Sequence, residues 1–313
     1  SQNYTRLNSA PATTLDWATG NVSTATTLAN QAFGNGSSPV AVVFNLNGTK
    51  MYSTDYTDKA IYSYTLTTAW DITTKSSLLN SFNLAGQTGN PHGMCFNSDG
   101  TIIFTASYST NVIYKYICST AFDITTASYS QTLTGMSGPT GVQVNSTGTK
   151  LYVSNDNNAD IREWDLSTAY DLSTAVYNSV SLSISQPRSM AFTSNGEKLY
   201  IIRSNGTVQE YSLSTGFSLS SASLVTSYDA SAQDSNMRGL AFKSDFTEMF
   251  LAGATNDKVY SYTLGKDLAL GTGSFASADV GKTIEANSGV FVLTAADGSY
   301  VESTAPTSYA QVA

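Results

Sequence analysis

The sequence repeats itself, and that repeat limits the available folds more than any other feature. Copies begin at Pro39, Pro91, Pro139, Pro187 and Met237, at intervals of about 50 residues, the period of propeller arrays. Each copy opens with a small, apolar segment (Gly93–Phe96, Gly141–Val144, Gly239–Phe242). A turn rich in Asn and Gly follows, as in Asn97–Gly100 and Asn145–Gly148, because these residues tolerate positive φ. Next come a half-buried alternation (Lys50–Tyr52, Lys150–Val153) and a third apolar segment such as Ile61–Leu66. Trp70-Asp71, Phe122-Asp123 and Tyr170-Asp171 then lead into a fourth. Four short strands per copy make each copy one blade.

Five copies predict an all-β, five-bladed β-propeller, with blades starting near residues 39, 91, 139, 187 and 237 and the propeller spanning 39–267. The fifth copy lacks its outer segment after Leu264, while residues 1–38 contain one without the rest of a repeat, at Trp17–Thr24 and Leu28–Phe33. The N-terminal segment is therefore expected to supply the outer strand of the last blade and remove the open edge. The competing arrangement is an open array completed by a neighbouring chain. Residues 268–313 fit no blade. Val290–Thr294 and Ser299–Glu302 around Asp297-Gly298 read as a β-hairpin, a small β extension with too little core to stand alone.

Composition agrees with this reading. Of 313 residues, 41% are hydrophobic and only 12% charged, which suits short strands joined by polar turns better than long helices. A net charge of −8 argues against nucleic-acid binding, and no apolar run is long enough to insert into a membrane. No charged segment followed by an apolar core opens the sequence; loss of an initiator Met before Ser1 is the favoured origin of that start, with cleavage of a leader the alternative. Cys95 and Cys118 fall on the first and third strands of one blade, roughly 10 Å apart and too far for a disulfide.

Few residues carry a signal for chemistry. His92, the single histidine, precedes an inner strand near the expected channel mouth; it is a candidate ligand-binding residue or an ordinary loop histidine. One histidine excludes multi-histidine zinc sites. Arg188 and Arg238 stand at matching positions in two copies, where they could hold an anion or, as favoured, pair with neighbouring carboxylates. Asp156, Asn158 and Asp160 form a fragment of a calcium loop, but Ile161 and Ser167 occupy positions where an EF-hand needs Gly and Glu. Ca2+ therefore stays open, a solvated turn is favoured, and no cofactor is otherwise expected. Asp71, Asp123 and Asp171 recur at equivalent positions, which suits turn caps, with Ser218 doing the same more weakly. No acidic residue lies on an inner strand, which argues against a glycosidase.

The cadence carried by Lys50–Tyr52, Asn97–Thr101, Tyr62–Leu66 and Ala69–Ile72 resembles propeller repeats of bacteriophage structural proteins, over about 230 residues. Ala278–Ile284 with Gly289–Leu293 is similar to a short β-module of phage tail and fibre proteins. This resemblance implies a non-enzymatic virion protein, such as a tail fibre or decoration, located on the particle. Its implied partners are other virion subunits and possibly a host-surface glycan, with homo-oligomerisation through the C-terminal tail. The alternatives are a secreted or cell-surface, filament-forming microbial protein, which glycans on the six Asn-x-Ser/Thr triplets would favour, and a propeller enzyme of the lactonase or glycosidase type.

Overall fold

The computed structural model describes residues 16–87, 89–269, 283–286, 289–296 and 301–304. Five four-stranded antiparallel sheets follow one another along the chain. Blade 1 comprises Val43–Phe44, Lys50–Asp55, Ala60–Leu66 and Lys75–Asn83; blade 2 runs from Pro91–Phe96 to Ala127–Leu133. Blades 3 and 4 run from Pro139–Val144 to Ala175–Ser183 and from Pro187–Phe192 to Ala222–Asp229. Blade 5 has Met237–Phe242, Glu248–Gly253 and Lys258–Ala269, and its fourth strand is Asp16–Ala32, from the N-terminus. The fold is thus an all-β five-bladed propeller closed by the N-terminal segment.

The chain divides into two compact units, residues 21–265 and residues 1–20 with 266–313. In the second, Thr283–Ala286, Gly289–Ala296 and Val301–Thr304 form a three-stranded antiparallel sheet. The Asp297-Gly298 turn lies outside the described residues. No described helix is long and apolar enough to cross a membrane.

The first strands crowd the axis, which explains their small residues. A Cβ on Gly93 would lie 2.7 Å from the Thr140 carbonyl oxygen of the next blade, and one on Gly141 2.6 Å from that of Arg188. Each of the first four blades also locks its own outer turn. Gly48, Gly100, Gly148 and Gly196 have positive φ, and a Cβ on any of them would collide with the ring of Trp70, Phe122, Tyr170 or Phe217. Those four aromatics are themselves in the left-handed region, a strained conformation that the ring packing maintains. Blade 5 has no such turn, because its outer strand arrives from elsewhere in the sequence. There Phe246 takes the glycine position, at φ 55, and packs its own ring on Tyr200 and Phe242.

Asp71, Asp123 and Asp171 cap 3-10 turns by accepting from the backbone N–H of Thr73, Thr125 and Ser173 at 2.9, 3.0 and 3.0 Å. Ser218 departs from that expectation. It makes no cap bond, and its shorter side chain meets Ser220 Oγ instead.

Adjacent blades are clasped through the middle of the third strand. Glu163 of blade 3 accepts from Leu219 N of blade 4 at 3.0 Å while bonding Lys150. Glu210 of blade 4 accepts from Val22 N at 3.1 Å and pairs with Lys198 at 2.8 Å. Val22, on the N-terminal strand, therefore takes the place that Leu219 holds in an interior seam. Between blades 2 and 3 the same work falls to Lys115, Gln131 and Leu172 N. Cys95 and Cys118 are buried free thiols; burial pushes them up to about 12 and about 11.

Candidate active site at the axis

In four of the five repeats the second residue of the inner strand falls at a break in the pairing. The inner strands of blades 3, 4 and 5 skip one residue in their pairing at Thr140, Arg188 and Arg238, and blade 2 skips at His92-Gly93. A bulge releases a side chain from the ladder and re-aims it. Here it frees one residue in each of four blades. Three of them, His92, Arg188 and Arg238, lie close enough for their charges to interact, while Thr140 donates its hydroxyl to the Pro187 carbonyl oxygen at 2.7 Å. The residue that follows each second strand is tied back toward the start of its own repeat. Tyr56, Tyr108, Asp156, Ser204 and Ala254 each donate a backbone N–H to the residue just before an inner strand.

His92 is 4% exposed and stands between two rings, edge-on to Tyr56 with centroids 5.6 Å apart and 5.3 Å from Tyr108. Those rings are fixed in turn: Asn90 Nδ2 donates to the Tyr56 hydroxyl at 2.8 Å, and the Tyr108 hydroxyl donates to Asn157 Oδ1 at 3.0 Å. No described residue hydrogen-bonds the imidazole. Burial, then the positive charges of Arg238 and Arg188, pull its pKa down to about 3, so it is neutral across the physiological range. Blade 2 is a neighbour of neither blade 4 nor blade 5, so its histidine feels their charges across the axis.

The two arginines differ. Arg188 Nη1 meets Asp156 Oδ2 at 2.8 Å, while its Nε is buried without a partner. Arg238 Nε donates to Asn236 Oδ1 at 3.1 Å, and among the described residues it has no carboxylate partner. Burial and the neighbouring Arg188 lower its pKa, the signature of a guanidinium held without full compensation. Two guanidiniums, one carboxylate and a neutral imidazole leave a local excess of one positive charge inside an acidic protein.

Of the calcium-loop candidates, Asp156 belongs to this cluster through Arg188, Asp160 pairs with Arg162 at 2.9 Å, and Asn158 is exposed. Their carboxylates are committed to different arginines, and among the described residues no three His, Cys, Asp or Glu side chains gather as metal ligands. Sequence reasoning named His92, Arg188 and Arg238 but missed that all three share one repeat position. It also missed Tyr56, Tyr108 and Asn236. The signal was available in the residue following Pro91, Pro187 and Met237.

A family model described as a lactonase with a seven-bladed β-propeller matches residues 3–295. The chain belongs to that family. It does so with five blades rather than seven. No curated protein matches the sequence. Among solved structures, a protein of unknown function from Desulfotomaculum acetoxidans is 13% identical, with a TM-score of 0.47, covering 75% of this chain and 73% of its own. Another, from Bacteroides uniformis and provisionally termed a 6-phosphogluconolactonase, is 14% identical, with a TM-score of 0.46 and coverages of 85% and 84%.

The family match overturns the expectation of a non-enzymatic virion component. The repeat cadence that suggested it specifies turns, caps and blade packing, which any propeller of this construction needs whatever its role. The absence of acidic residues from the inner strands bears on a glycosidase and not on a lactonase. Paired carboxylates are a requirement of glycoside hydrolysis, whereas opening a lactone needs one base and a stabilised oxyanion.

Proposed function

We propose that the chain is a lactone hydrolase that works at the axial cluster and prefers lactones carrying a negative charge. The observation that carries this reading is the convergence of neutral His92 with Arg188 and the uncompensated Arg238. In the proposed reaction His92 accepts a proton from water as that water attacks the lactone carbonyl carbon. The resulting tetrahedral oxyanion is stabilised by the guanidinium donors, chiefly Arg238 and the free Nε of Arg188. Collapse breaks the ring C–O bond, and His92 returns the proton to the departing alkoxide, giving a hydroxy acid.

An imidazole with its pKa held near 3 is a weak base. A negatively charged substrate corrects this, because it offsets the guanidinium field and moves the imidazole back toward its ordinary value. Substrate charge thus both anchors the ligand and strengthens the base, which is why an anionic lactone is favoured over a neutral one.

The test is proton release during hydrolysis of a lactone panel that pairs each neutral sugar lactone with its phosphorylated or carboxylated counterpart. The anionic members should turn over at least tenfold faster in kcat/KM. Equal rates for charged and neutral members would remove the role given to the arginines, and no turnover of any member would remove the reading altogether.

A further inference from the structure

The blade seams follow one plan, and the seam between blades 5 and 1 breaks it. At one register of the second strand stand Lys50, Ile102, Lys150, Lys198 and Glu248. On the third strand, opposite the residue two further along, stand Ser63, Lys115, Glu163, Glu210 and Ser261. Blades 1 to 4 each place a lysine at one of these two positions. Blade 5 alone places none and has a glutamate where three other blades have lysine.

Seam 1/2 shows what such a lysine does when the third-strand position holds serine. Lys50 Nζ donates to the carbonyl oxygen of Phe122, in the outer turn of blade 2, at 3.3 Å, and the Tyr52 hydroxyl donates to the same oxygen at 2.6 Å. In seam 5/1 the matching carbonyl belongs to Trp70. The residues opposite it are Glu248, which cannot donate, and Phe250, which has no hydroxyl. Neither donor is replaced by any described side chain.

The space is left open. A cavity of about 400 Å³ lies in this seam, lined by Trp70, Ile72, Glu248, Ser261, Leu28 and Ala29 among others. Ser261 is 2% exposed, and its hydroxyl makes no hydrogen bond among the described residues. Glu248 Oε1 meets Lys243 Nζ at 3.0 Å, and Oε2 has no partner among the described residues. The polar side chains lining the cavity are thus two carboxylates, Asp71 and Glu248, and the hydroxyls of Thr73 and Ser261, with no cation among them, set beside an apolar wall and an indole.

We propose that this cleft binds a small alkylammonium ion, seated where Lys50 Nζ sits in seam 1/2 and held by Glu248, Ser261 and the Trp70 carbonyl. The alkyl stem lies along Leu28 and Ala29, as a lysine stem lies on apolar surface. This site is separate from the axial cluster and does not depend on its chemistry.

The probe is n-butylammonium chloride titrated into the full chain by calorimetry, with n-butanol as the uncharged control. Saturable binding of butylammonium and none of butanol is expected. Glu248→Gln should weaken binding at least tenfold with the melting temperature unchanged. Glu248→Lys should abolish it and raise the melting temperature, because the new ammonium occupies the site as Lys50 does in its own seam. Three results would each overturn the proposal: no saturable binding to the wild-type chain, equal binding to Glu248→Gln, or retained binding to a folded Glu248→Lys chain.

Discussion

With a single histidine in the sequence, one substitution isolates the imidazole's share of the change in stability between pH 7 and pH 5. In the folded chain His92 stays neutral down to about pH 3, whereas in the unfolded chain it titrates near 6.5. The unfolded state thus binds more protons throughout that window, and stability falls as pH drops from about 6.5 toward 3. At pH 5 the unfolded state gains about 1.4 kcal/mol for each of roughly 1.5 pH units, or about 2 kcal/mol in all. For a chain of this length that corresponds to about 3 °C in melting temperature. Asp257 shifts the opposite way, raised by burial and by Asp55 and Asp234, so the comparison must be with a variant that removes only the imidazole. The assay is urea unfolding at pH 7 and pH 5 for wild type and His92→Gln. The loss on acidification should be about 2 kcal/mol smaller in His92→Gln. Equal losses would show that the imidazole titrates normally and that the axial guanidinium field is not felt there.

Three other perturbations test the architecture. Glu210→Ala leaves Lys198 and the Val22 N–H without their buried partner and should cost about 3 kcal/mol in urea unfolding; Glu210→Gln, which keeps an acceptor for Val22, should cost less. Gly100→Ala places a Cβ 2.3 Å from the Phe122 ring at φ 76, so it should lower stability by more than about 2 kcal/mol by the same assay. Ser218→Asp supplies the cap that blade 4 lacks and should raise the melting temperature, with a gain of up to about 1 kcal/mol; no gain would mean that the turn is held by its aromatic alone.

The blades were legible because their determinants are local. A glycine that must accept positive φ, an aromatic that covers it and an aspartate that caps the next turn all lie within one repeat and recur. Closure by the N-terminal strand was legible for the same reason, since a missing outer segment at one end matched an orphan at the other. The clasp of Glu163 and Glu210 was not, because the N–H it bonds lies in the next blade and carries no side-chain signature. The site was half visible. Arg188 and Arg238 stood out as charges among apolar neighbours, but His92 reads as a loop residue until the bulge beside it is seen. Asp156 looked like part of a calcium loop because its partner, Arg188, lies 32 residues away in sequence. Role was least legible, since resemblance in the repeat reflects packing and leaves the axial side chains free to vary.

The central claim is that the axial cluster opens lactones, and Arg238→Met tests it most directly, because that side chain has no carboxylate partner among the described residues whose loss would confuse the result. Measured on the lactone that the wild-type chain hydrolyses fastest, kcat/KM should fall by at least a hundredfold with the unfolding midpoint unchanged. A variant that hydrolyses the same lactone at the wild-type rate would place the chemistry elsewhere and contradict the account.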